Sequence, residues 1–128
     1  MDAQLQAFIL AKSRERFAYG ASDCGLLVAD WWQWQHGIDP AAHLRGTYGT
    51  EDACAALLRG KGGLLRVVAR IARAAGAKRV SEARQGCFGV VRYQGAHHGA
   101  VATSDKNWAI RGEGLVITRL CRPVAIWE

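Results

Sequence analysis

Apolar residues in the first half of the chain recur at helical spacing. Leu5, Phe8 and Ile9, with Lys12 behind them, predict a helix from Asp2 to about Arg16. Phe17–Ser22, carrying Gly20 and Ser22, reads as a loop. A second helix is expected from Asp23 to about His36. Asp23 is a good N-cap, Gly37 a good left-handed C-terminal residue, and Asp39-Pro40 lies just beyond. Its apolar side holds Leu27, Val28, Trp31, Trp32 and Trp34. Thr50 introduces a short helix over Glu51–Arg59. A longer one spans Gly63 to Ala75, with Leu64, Val67, Val68 and Ile71 on one face, Arg66, Arg70 and Arg73 on the other, and Gly76 as terminator.

After about residue 85 the period becomes that of strands. The expected strands are Gly86–Tyr93, His97–Thr103, Asn107–Arg111, Leu115–Leu120 and Val124–Trp127, joined in part by short polar turns such as Ser104-Asp105-Lys106 and Gly112-Glu113-Gly114. Helices over about 1–80 followed by strands over about 85–128 imply a single α+β domain with an antiparallel sheet. A length of 128 residues fits one domain.

Composition narrows the classes. No apolar run approaches the roughly 20 residues of a membrane helix, and the N-terminus lacks the form of a signal peptide. The chain is therefore expected to be made in a cytoplasm, with Cys24, Cys54, Cys87 and Cys121 as free thiols. No CxxC or CxxH spacing occurs, so neither a metal nor a cofactor is expected. The net charge of +6 is uneven: residues 1–60 sum to −2 and residues 61–128 to +8. A basic half suits an anionic polymer, an acidic partner or a solvated face. Nucleic acid is disfavoured, because no nucleic-acid-binding motif accompanies the charge.

The chemically informative feature is Asp23-Cys24-Gly25 at a helix start. Unpaired N–H groups and the positive dipole end favour thiolate there, and a thiolate is a nucleophile. The Cys24 N–H is placed to hold a developing oxyanion, and Gly25 leaves room for substrate. Asp23 opposes a second anion. Such a nucleophile needs a base. His36 is 12 residues down the same helix, about 18 Å away, and His43 lies in a loop. His97 and His98 open a strand and face opposite ways, so at most one of them faces Cys24.

Phe17-Ala-Tyr-Gly-Ala-Ser-Asp-Cys24-Gly-Leu, Ala29-Asp-Trp31, Gly37-Ile-Asp-Pro40, Leu44-Arg-Gly-Thr-Tyr48 and Gly112-Glu-Gly-Leu115 resemble, in order and spacing, small NlpC/P60-like proteins of phages and prophages. The resemblance runs over nearly the whole chain. It implies a papain-like α+β fold, with the nucleophile's helix packed on an antiparallel sheet. It implies cysteine peptidase activity on the peptides of bacterial peptidoglycan, and association with phage tail-tip or tail-assembly proteins, hence location in a virion after assembly. Carried onto this chain, it makes Cys24 the nucleophile and His97 the base, since His97-His98-Gly99-Ala100-Val101 is similar to the family's His-Val-Gly-Ile-Tyr. A register offset by one makes His98 the base instead. Tyr19 falls where relatives carry a tyrosine near the oxyanion.

Two departures stand out. Gly86-Cys87 replaces the family's Gly-Asp, and Ala109 occupies the position of the residue that orients the imidazole. Asn107 is the nearest chemical substitute, because its amide accepts from an imidazole N–H. Arg111, a permanent cation, would oppose imidazolium formation. These departures make a catalytically silent, structural member of the fold the alternative to a peptidase.

Overall fold

A computed structural model describes all 128 residues. Four helices come first: α1 (Ala3–Ser13), α2 (Leu26–His36), α3 (Glu51–Lys61) and α4 (Leu64–Ala75). Six strands follow: β1 (Arg79–Val80), β2 (Phe88–Tyr93), β3 (Ala96–Ala102), β4 (Trp108–Arg111), β5 (Leu115–Thr118) and β6 (Arg122–Trp127). They form one antiparallel sheet in the order β1-β6-β2-β3-β4-β5. The α+β class expected from the pattern is thus the observed one. No helix is long and apolar enough to cross a membrane, and all four cysteines are free.

The helix ends follow the predicted caps. Asp2 accepts from Leu5 N and Thr50 from Ala53 N, while Gly37, Gly62 and Gly76 close α2, α3 and α4 in the left-handed conformation. The first helix stops at Ser13 rather than Arg16, and α3 runs past Gly60 to Lys61, because Gly62 is the residue that turns left-handed. Asp23 caps α2 as expected: its Oδ1 accepts the Leu26 N–H and its carbonyl the Leu27 N–H.

The main core lies between the helices and one face of the sheet. Phe8, Leu27, Val28, Trp31, Val68 and Ile71 meet Phe88, Val90, Val101 and Trp127. The Trp31 indole donates to the Gly86 carbonyl at 2.8 Å, tying α2 to the entry of β2. Trp34 shares Phe8 with Trp31 and is 44% exposed, while Trp32 is partly buried against Phe88 and His36.

The other sheet face carries no helix, yet it is apolar: Cys87, Val91, Ala100, Ala102, Trp108, Ile110 and Ile126 form a second core. Geometry explains how it is closed. Strands β5 and β6 are four places apart in the sheet, about 19 Å if the sheet were flat. The link from Thr118 to Arg122 reaches at most about 14 Å. The sheet must therefore curl, and the link bearing Cys121 folds over the second core. A bulge assists: β6 pairs Ala125 with Val90 but Pro123 with Val91, leaving Val124 over.

Two strand expectations are corrected. β1 is a two-residue strand beside β6, too short to leave a period in the sequence. Asn107 lies before β4, in the turn, rather than opening the strand.

Candidate functional site

The site is built on the loop before α2. Ala18 and Ser22 exchange backbone hydrogen bonds at 3.0 and 2.8 Å. The tip, Gly20, has φ +78° and sits against the Tyr48 carbonyl, where no Cβ fits. Gly46 N–H donates to the Gly20 carbonyl at 3.0 Å. The loop is thus clamped between α2 and the 44–49 segment.

Asp23 is the clamp's centre, and it is 4% exposed. Its Oδ1 accepts the Leu26 N–H at 3.0 Å; its Oδ2 accepts the Gly20 N–H at 2.9 Å and the Tyr48 hydroxyl at 2.6 Å. Three donors on one buried carboxylate favour its ionised form. The Tyr48 hydroxyl is pushed far up, first by burial and then by Asp23.

Cys24 follows in the first turn. Its thiol is pushed up to about 11, chiefly by burial and next by the Asp23 charge. The Gly99 and Cys24 backbone groups pull the other way and lose. At neutral pH Cys24 is a thiol. The favourable helix end is outweighed by the buried carboxylate that caps the same helix.

The expected oxyanion residue, Tyr19, shares a pocket with Cys24. This cavity of about 50 Å3 is lined by Phe17, Tyr19, Cys24, Tyr48, Cys54, Leu57, Leu58 and Leu64, among others. That is room for a few waters or a small side chain. Tyr19 packs edge-on against Phe17, ring centroids 4.8 Å apart. Its hydroxyl is raised by desolvation and by nearby acidic groups, Glu51 first. The space that Gly25 was expected to leave for substrate is taken: a Cβ there would lie 3.3 Å from Leu64 Cδ1.

The two histidines are separated by strand parity. Gly99 packs onto Cys24 so closely that a Cβ on it would meet the Cys24 carbonyl. His97 is two residues away, hence on the same face, about 7 Å along β3. It is exposed and makes no hydrogen bond to the thiol. His98 points to the opposite face, in register with Val91, and packs edge-on against Tyr93 at 5.7 Å. The alternative of His98 as base is therefore overturned by the pleat. Its buried Nδ1 lacks a partner, and desolvation lowers its pKa.

Asn107 cannot orient either ring. It sits in the β3–β4 turn, where its N–H donates to Ser104 Oγ at 3.0 Å and its carbonyl accepts from Thr103 at 2.9 Å. This is beyond Ala102, five residues from His97 along the strand, or about 17 Å. The residue that does occupy β4 opposite Gly99 is Arg111. It is 2% exposed, donates to Ser22 Oγ at 2.7 Å, lies 3.6 Å from Glu15, and has an unpartnered Nη1.

Several motif residues turn out to brace the loop instead of facing a substrate. Arg45 donates to Asp30 at 2.6 Å and to Asp39 at 2.6 Å, and Lys12 pairs with Asp30 at 3.1 Å. Asp39 is held below the usual carboxylate range, Arg45 outweighing its burial. Sequence reasoning missed this network and the pairing of Tyr48 with Asp23. It also missed Cys54, which nothing in the pattern around α3 singles out. No cluster of three or more His, Cys, Asp or Glu residues could hold a metal.

Comparison with known families adds one finding. The family described as a domain of unknown function, DUF6950, matches residues 1–128, and the chain belongs to it. No curated protein and no solved structure matches.

Proposed function

We propose that this chain is a catalytically silent domain of the papain-like, NlpC/P60-type fold that serves as a structural component of a phage tail tip or its assembly, made in a bacterial cytoplasm and carried in the virion. The observation that supports silence is the state of Cys24: a thiol held near pKa 11, with no imidazole in hydrogen-bonding reach. A cysteine nucleophile at neutral pH needs a lowered pKa or a base beside it. The tail assignment rests on the resemblance of its motifs to phage-encoded NlpC/P60-like proteins. The test has two arms. Pull-downs against tail-tip proteins should retain the chain, with Cys24→Ala binding as wild type does. Purified muropeptides incubated with wild type should be returned intact. Turnover that disappears in Cys24→Ala would overturn the proposal.

A second reading, a peptidoglycan cysteine peptidase, is favoured by one observation: His97 shares its strand face with Gly99, which abuts Cys24. In that reading His97 swings inward on substrate binding and takes the Cys24 proton. It later gives this proton to the leaving amine, and Tyr19 and the Cys24 N–H steady the oxyanion. This reading requires muropeptide cleavage that is lost in both Cys24→Ala and His97→Ala.

A further inference from the structure

The sheet has two edges, and they are treated differently. Exposed strand edges invite pairing and are commonly blunted by shortness, charge, proline or a bulge. β1 is blunted: it has two residues, one of them Arg79. β5 has none of these devices. Its four residues, Leu115-Val116-Ile117-Thr118, carry no charge and no proline, and they pair with β4 without a register shift. On its outer side no backbone group is hydrogen-bonded to another strand or loop. Val116 is 41% exposed, Ile117 46%, and Leu120 just beyond is 81% exposed.

The charges flanking this edge are complementary under a two-fold rotation. Glu113 lies three residues before Val116 and Arg119 three after. Both are exposed, and neither has an ion-pair partner within the chain. An antiparallel pair centred on Val116 puts Leu115 opposite Ile117 and Glu113 opposite Arg119, each twice. Leu120 then falls opposite Gly112, which has no side chain to obstruct it. Such self-complementarity is what an isologous contact requires.

We propose that β5 is a self-pairing edge: two copies of this chain join through antiparallel β5 strands into one continuous sheet, with reciprocal Glu113–Arg119 ion pairs fixing the register. The contact is small, below the about 1,000 Å2 of a stable interface. It therefore gives a reversible dimer that is populated at high protein concentration or when copies are held side by side in an assembly. It does not depend on the thiol site, so Cys24→Ala leaves it unchanged whichever reading of that site holds.

The test is sedimentation equilibrium of the full chain at low salt, with circular dichroism confirming that each variant is folded. Wild type should self-associate. Glu113→Arg and Arg119→Glu, each alone, should weaken association at least about tenfold by facing like charges. An equimolar mixture of these two variants should recover association as a heterodimer, because both reciprocal pairs then become opposite in sign. Ile117→Lys should abolish association. Wild type that stays monomeric would overturn the proposal, as would single reversals that associate like wild type, or a mixture no tighter than its components. Monomeric wild type that loses binding to tail proteins on Ile117→Lys would assign the edge to a foreign strand and overturn self-pairing.

Discussion

Gly99→Ala probes the contact that places β3 against the thiol. A Cβ at residue 99 would run into the Cys24 carbonyl oxygen and lie 3.2 Å from its carbon and 3.4 Å from Gly25 Cα. All three atoms are backbone, so no side chain can rotate away. β3 is paired on both sides, with β2 and with β4, and cannot retreat without stretching a ladder. Overpacking costs about 1–3 kcal/mol, and the missing relief places this case near about 3 kcal/mol. Removing glycine's freedom from the unfolded chain returns about 0.5–1 kcal/mol. The net loss is about 2 kcal/mol, or a fall in Tm of roughly 6–10 °C for a domain of this size. Gly60→Ala is the control. Gly60 lies in α3 with nothing within 4 Å of its would-be Cβ, so the same substitution should stabilise by about 0.5 kcal/mol. Calorimetry and urea unfolding measure both. If Gly99→Ala melts at or above the wild-type temperature, β3 does not press on the Cys24 turn and the account of the site fails.

Alkylation of Cys24 by iodoacetamide, followed by mass spectrometry, should stay slow at pH 8 and accelerate toward about pH 11; a fast reaction at pH 7 would mean a thiolate. Asp23→Asn should destabilise by about 2–4 kcal/mol, because an amide cannot accept from three donors, and should also lower the Cys24 pKa by removing the adjacent charge; unchanged stability would refute the clamp. His98 has a depressed pKa when folded, so below about pH 6.5 the unfolded chain binds its proton first and stability falls as the pH drops through the folded value. His98→Phe should flatten that acid limb, and an unchanged pH profile would count against it. Arg111→Met should stay within about 1 kcal/mol of wild type. Glu15 is left 44% exposed rather than as a buried charge, and an unmet guanidinium N–H disappears. A loss above about 3 kcal/mol would show that the cation is a net stabiliser.

Local signals carried most of the helical half. Asp2, Asp23 and Thr50 announce helix starts, and Gly37 and Gly76 announce ends, because caps are chemistry of one or two residues. The strand period also showed that His97 and His98 must diverge. It could not show which of them faces α2, since that depends on where Gly99 meets Cys24, a contact across 75 positions of sequence. Asn107 was misplaced for a related reason. Its neighbour Trp108 begins the strand, and only the pairing of Ala102 with Trp108 reveals that the turn lies at the far end of β3 from His97. The Asp30–Arg45–Asp39 network was invisible as a network, because charged residues at a motif look alike whether they face a substrate or one another.

The two demands made on Asp23 conflict, and the conflict bears on what the site does. To hold the Gly20 and Leu26 N–H groups and the Tyr48 hydroxyl, its carboxylate must stay ionised and buried. An ionised, buried carboxylate beside Cys24 raises the thiol's pKa. A site arranged for nucleophilic attack would set a cation or a neutral base against that charge. The nearby cation that the fold supplies, Arg111, is turned to Ser22 and Glu15, and it is not among the groups that shift the thiol. Arg45, a second cation held among the motif residues, is taken up by Asp30 and Asp39. The charges around the loop are thus balanced among themselves and leave none to favour a thiolate. An arrangement in which the motif residues satisfy one another, and the thiol alone is left at a disadvantage, fits a loop kept for its shape.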